Sequence, residues 1–180
     1  MRLFFSLEFD EAAKDMLCAA IDRIRPCCAQ GRFTPRENLH LTLVFLGEVP
    51  PANLSSAEAA MEEVTCKSFE LEIGGIGCFR QHGGSLYWAG VERSEPLCAL
   101  YSALCGALRG HGFSVEDRPY RPHLTLVRQA VLKAGCDRSA LTVPVLRARA
   151  DAFSLMLSEL RAGHRVYTEI GKRKLGGVPA

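Results

Sequence analysis

No run of about 18 apolar residues occurs in the 180-residue chain, so the sequence offers no membrane-spanning helix. The opening stretch MRLFFSLEFD is broken by Glu8 and Asp10, and no small-residue cleavage site follows, so it does not read as an export signal. Eight cysteines are present but no Cys-x-x-Cys pair, which removes the usual zinc frameworks. The expected compartment is the cytoplasm, with reduced thiols. Cys98 and Cys105 sit among leucines as small core residues, and adjacent Cys27 and Cys28 follow a helix-ending proline. Charge excess is lacking too: 22 basic residues are offset by 20 acidic ones. Any anion site must therefore be local rather than a field of the whole molecule. No low-complexity linker divides the chain, and residues 1–180 are expected to form one bilobal domain.

What is present is a pattern of short strands with a few helices. RLFFSLEF, NLHLTLVFLG, SFELEIGGIGCF, SLYWAGVE, HLTLVR, VPVLRARA, DAFSLMLSEL and HRVYTEIGK read as strands. Asp10 is expected to cap a helix to Ile24 with Ala13, Met16, Leu17, Ala20, Ile21 and Ile24 on one stripe, ended by Pro26. ANLSSAEAAMEEV reads as a second helix, and Ser94 as the cap of a third that closes at Gly110 and Gly112. Gly163 is expected to mark a hairpin. The fold class is α+β with antiparallel sheet, in a loosely duplicated order.

Histidine is scarce, with five in the chain, and two of them open the same five-residue word. His-Leu-Thr-Leu-Val begins at His40 and again at His123, 83 residues later (123 − 40). On a strand, His40 and Thr42 share one face while Leu41 and Leu43 share the other; His123 and Thr125 repeat this against Leu124 and Leu126. Leucine burial fixes the register, because a slip of one residue would bury the polar pair. A duplicated core element with no chemistry would keep its apolar face and vary the polar one. Here both faces recur.

Two imidazoles converging on one cleft are the parts of an acid–base reaction near neutral pH, one accepting a proton and the other donating it. Two threonine hydroxyls can hold the non-bridging oxygens of an anion, and the Arg128 guanidinium adds a fork suited to phosphate. Counted strictly, Arg128 falls on the leucine face, so it reaches the cleft only if the strand ends or bulges at Val127 or Arg128. Cleavage of a phosphodiester without a metal or other cofactor fits this set.

The signatures His40-Leu41-Thr42-Leu43 and His123-Leu124-Thr125-Leu126 resemble those of the two-histidine phosphoesterase superfamily. The flanking MRLFFSL, NLHLTLVFLG and RPHLTLVR resemble the RNA 2′,3′-cyclic phosphodiesterases, historically called 2′-5′ RNA ligases, and the likeness continues through LSEL and Gly163 to Tyr167. The resemblance implies a bilobal fold in which two antiparallel sheets face a central cleft, with helices outside and a pseudo-two-fold duplication. It also implies hydrolysis of a 2′,3′-cyclic phosphate to a 2′-phosphomonoester, with His40 as proton donor, His123 as proton acceptor, and Thr42 and Thr125 on the phosphate.

Other residues are more open. Arg121 either touches substrate or is a solvated loop residue, and Phe45 and Trp88 are candidates for stacking on a base. Tyr87 reads as core, and His82, His111 and His164 as bystanders. A late basic group, Arg147, Arg149, Arg161, Arg165 and Lys172 to Lys174, is either a solvated face or a modest RNA track. The expected partner is RNA with a 2′,3′-cyclic phosphate end, or a small cyclic nucleotide, bound by a monomer and not at a membrane. Competing readings are 2′-5′ ligation of RNA halves by the reverse reaction, a non-catalytic RNA-end binding module, and, weaker, a zinc hydrolase.

Overall fold

The computed structural model describes residues 1–176, and its strands form two antiparallel sheets. The strands are β1 (Arg2–Leu7), β2 (Cys28–Phe33), β3 (Leu41–Glu48), β4 (Phe69–Gln81), β5 (Gly84–Val91), β6 (His123–Leu132), β7 (Leu146–Ala150), β8 (Ala152–Arg161) and β9 (His164–Lys174). The helices are α1 (Glu11–Ile24), α2 (Leu54–Glu63) and α3 (Glu95–Gly110). One sheet has the order β3-β1-β8-β9 and the other β2-β6-β5-β4-β7. Each sheet therefore carries one signature strand, but neither sheet is a continuous half of the sequence.

Local chemistry explains the elements. In β1, Leu3, Phe5 and Leu7 alternate onto the core face and are fully buried. The Asp10 carboxylate accepts the Ala13 N–H at 2.8 Å and starts α1 as a side-chain cap. Ala13, Leu17, Ala20, Ile21 and Ile24 form its buried stripe, but Met16, expected there, is 44% exposed. Ser94 occupies the cap position of α3 without making a cap bond; its hydroxyl is buried with no partner among the described residues. Gly163 and Ala162, both at positive φ, form the expected β8–β9 turn.

Helix α1 packs on β6 and β7, α2 on β9, and α3 on β3, so helices cover one face of each sheet and the other faces line a cleft. Leu124, Ala89 and Leu71 lie on the helix side of the five-stranded sheet, as Leu41, Leu155 and Phe153 do in the four-stranded one. Among the described residues, no helix is long and apolar enough to cross a membrane.

Strand β2 is the element that periodicity does not reveal. Its sequence CAQGRF is short and lacks an alternating apolar face, and it is a strand because it pairs antiparallel with β6. That pairing brings Arg32, Phe33 and then Thr34 to the cleft, where the Thr34 hydroxyl donates to the Thr125 carbonyl at 2.8 Å.

Candidate active site

The two signatures share a construction that neither alone would disclose. In β3, Ser6 pairs with Thr42 but Phe5 pairs with Val44, so Leu43 is an inserted bulge residue. In β6, Trp88 pairs with Thr125 but Tyr87 pairs with Val127, so Leu126 is the matching insertion. Each bulge turns two consecutive residues into the core, Leu43 with Val44 and Leu126 with Val127, and returns the next one to the cleft face. The residues returned are Phe45 and Arg128, five positions after their histidines. The bulge lies one residue earlier than the place where strict counting required it, and Arg128 lines the cleft with its guanidinium donating to the Thr125 hydroxyl at 3.4 Å.

Both imidazoles are oriented by the same main-chain device. His40 Nδ1–H donates to the Asn38 carbonyl at 2.7 Å, and His123 Nδ1–H donates to the Arg121 carbonyl at 2.7 Å. A carbonyl can only accept, so the proton on each neutral ring is at Nδ1, and Nε2 is the nitrogen left for chemistry. His40 Nε2 accepts from the Thr42 hydroxyl at 3.1 Å. Asn38 is itself 8% exposed and anchored, its side-chain amide donating to the Arg165 carbonyl on β9 at 2.9 Å. Arg121 serves His123 through its carbonyl, while its side chain lines the cleft.

Each ring also has two aromatic neighbours. His40 lies 4.9 Å from the Phe4 ring and 5.2 Å edge-on from Tyr167. His123 lies 5.4 Å edge-on from Phe79 and 5.8 Å from Trp88. Trp88 fits only because residue 77 is glycine: a Cβ there would sit 2.0 Å from the indole. The Trp88 indole N–H is buried with no partner among the described residues.

Burial, with the Arg128 and His123 charges adding to it, lowers the His40 pKa to about 4, against the opposing bond to Asn38. His40 is therefore neutral at pH 7 in the free protein.

Two cavities meet at the pair, sharing Thr42 and His123 as a common wall. The larger, about 810 Å³, also holds His40, Thr125, Arg128, Arg32, Arg165 and Tyr167. His164 lines it as well, which corrects its reading as a bystander: the hairpin at Gly163 carries it over the cleft. The smaller, about 440 Å³, is walled by Phe45, Phe79, Tyr101, Tyr120 and Arg121 among others. Phe45 is 48% exposed with the Arg2 guanidinium over its ring.

The late basic residues form no continuous track. Arg147 pairs with Glu72, Arg149 with Asp151, Arg161 with Glu159, Arg173 with Glu62 and Lys172 with Glu169, leaving Arg165 in the cleft and Lys174 exposed at the end of β9. His111 pairs with Glu63, and His82 lies exposed at the β4–β5 turn. Asn38, Phe79, Tyr120 and Arg32 were not singled out by the sequence pattern. No sequence signal marks the carbonyl device, because every residue type presents the same main-chain carbonyl.

Proteins of known name match almost the whole chain. One from Thermotoga maritima, named RNA 2′,3′-cyclic phosphodiesterase, is 30% identical over 172 residues, covering 93% of this chain and 91% of its own. Another of that name, from Methanothermobacter thermautotrophicus, is 31% identical over 181 residues, covering 94% and 96%. A crystal structure of a Thermus thermophilus protein superposes with a TM-score of 0.78 at 29% identity, covering 98% of this chain and 99% of that one. With residues 13–162 also matching the family as a whole, the chain belongs to the 2′-5′ RNA ligase superfamily.

Proposed function

We propose that the protein is an RNA 2′,3′-cyclic phosphodiesterase, acting as a monomer, that opens the cyclic phosphate at an RNA end to a 2′-phosphomonoester by metal-independent acid–base catalysis. The observation that carries this reading is the matched pair of imidazoles, each held through Nδ1 by a carbonyl two residues back, which line one cleft together with Thr42 and Thr125. The names of the relatives support the same substrate.

His123 Nε2 takes a proton from water as its oxygen bonds to phosphorus. The bond from phosphorus to O3′ breaks, and the proton on His40 Nε2 passes to O3′, leaving a 3′-hydroxyl and a 2′-phosphomonoester. Thr42, Thr125 and Arg128 receive the non-bridging oxygens as charge gathers on them. His40 is neutral in the free protein, so it acquires its proton with the substrate: the phosphate monoanion offsets the Arg128 charge that disfavours the imidazolium. The donor role goes to His40, whose bond to Asn38 is partly buried, and the acceptor role to His123, whose bond to Arg121 is exposed to water. Among the described residues, no three His, Cys, Asp or Glu side chains cluster as a metal site, which weighs against the zinc alternative.

End-group analysis of an oligonucleotide bearing a 2′,3′-cyclic phosphate, reacted in excess chelator, tests the reading. A 2′-phosphate and a 3′-hydroxyl are expected. An unchanged cyclic phosphate after prolonged incubation indicates a binding module instead, and a joined product with a 5′-hydroxyl RNA indicates ligation.

A further inference from the structure

Resting on that reaction and extending it, we propose that the two cavities divide the RNA end between them. The aromatic cavity takes the terminal nucleobase, and the cationic one takes the phosphodiester chain leading 5′ from it.

The cavities share Thr42 and His123, so a ligand with its phosphate at the common wall extends into both. A ribose closed by a phosphate across O2′ and O3′ carries its base at C1′ and its chain at C4′, on either side of the ring oxygen. The substrate thus has two diverging arms, one flat and uncharged, the other bearing a negative charge at every phosphate.

The cavity linings differ in the same sense. In the smaller cavity, Phe45, Phe79 and Tyr101 supply aromatic surface, and Glu116 and Arg118 neutralise each other at 2.6 Å, leaving Arg121 as its single unpaired guanidinium among the described residues. In the larger, Arg32, Arg128 and Arg165 are present, no carboxylate lines the wall, and none of the three has an acidic partner among the described residues. Bases stack on aromatic rings whatever their identity, and unpaired guanidiniums follow a phosphate backbone. Arg128 belongs to the reacting phosphate, which leaves Arg32 on β2 and Arg165 on β9 to hold the chain.

The test compares KM for a mononucleoside 2′,3′-cyclic phosphate with KM for a short single-stranded RNA ending in the same group. The variants are the double Arg32→Ala, Arg165→Ala and the single Phe45→Ala; all three side chains are exposed, so the fold is kept. The double variant is expected to raise KM for the RNA about tenfold more than for the mononucleotide. Because it neutralises two fewer phosphates, it should also reduce the slope of log KM for the RNA against log salt by about 1.4. Phe45→Ala is expected to raise both KM values by the same factor, since both substrates carry the terminal base. Equal shifts of both substrates in the double variant overturn the division, and a Phe45→Ala effect confined to the RNA reverses its direction. A wild-type protein inert toward both substrates overturns the reaction itself, an outcome distinct from either.

Discussion

The Tyr120 hydroxyl donates to the main-chain carbonyl of Thr42 at 3.0 Å, tying the segment that enters β6 to the strand bearing the other signature. Tyr120 is the neighbour of Arg121, whose carbonyl orients His123, and its ring stacks on Tyr101 of α3 at 4.2 Å and 7°. Burial pushes its phenol above the usual range, so it stays a donor throughout the working pH range. This one bond sets one signature against the other. Tyr120→Phe keeps the stack and removes the bond; kcat is expected to fall about tenfold with KM nearly unchanged, because small displacements between reacting groups are costly. Denaturant unfolding should register a loss of about 1 kcal/mol. An unchanged kcat would remove the positioning role.

His40→Ala and His123→Ala should each lower kcat by about 10² to 10⁴, with near-native circular dichroism, since the proposed reaction assigns one proton transfer to each. The roles are separated by a substrate whose 3′-bridging oxygen is replaced by sulfur. A thiolate leaves without protonation, so this substrate restores turnover in His40→Ala and not in His123→Ala. Restoration in the other variant would exchange the two roles.

Stability should carry the mark of His40. Its pKa is about 4 in the folded protein against an ordinary 6.5, so between those values the unfolded chain binds more protons. Stability therefore falls as pH drops from about 6.5 to 4, by on the order of 3 kcal/mol. Unfolding curves at pH 7, 5 and 4 check this, and H40Q should remove that share of the slope. Binding of phosphate or product at pH 7 should in turn take up a proton, seen by calorimetry in buffers of different ionisation enthalpy.

Gly77→Ala places a methyl into the Trp88 indole, which backs His123. Overpacking of this kind is expected to cost about 1–3 kcal/mol and to alter the near-ultraviolet dichroism of the single tryptophan. Activity should fall with it, whereas Gly110→Ala, which meets nothing within 4 Å, should leave both unchanged.

The elements and the pair of signatures were legible in the sequence because they rest on local rules. Alternation in β1, β3 and β6, the Asp10 cap and the stripe of α1 depend on residues within one turn or one strand. The repeated polar face of His and Thr against a leucine face announced a paired site for the same reason. The errors also have local causes: Met16 satisfies the helical period yet stays 44% exposed, and β2 shows no apolar alternation.

What the sequence determined by itself is that two histidine–threonine strands exist and which of their faces must be buried, since apolar burial at a period of two leaves no other register. The tertiary structure decided the rest. Bulges at Leu43 and Leu126 arise from pairing with β1 and β5, and only they return Phe45 and Arg128 to the cleft. The lowered basicity of His40 likewise comes from its burial among residues distant in sequence, Phe4 and Tyr167 with it. Pairing and burial join segments far apart in the chain, and a local pattern holds no record of them.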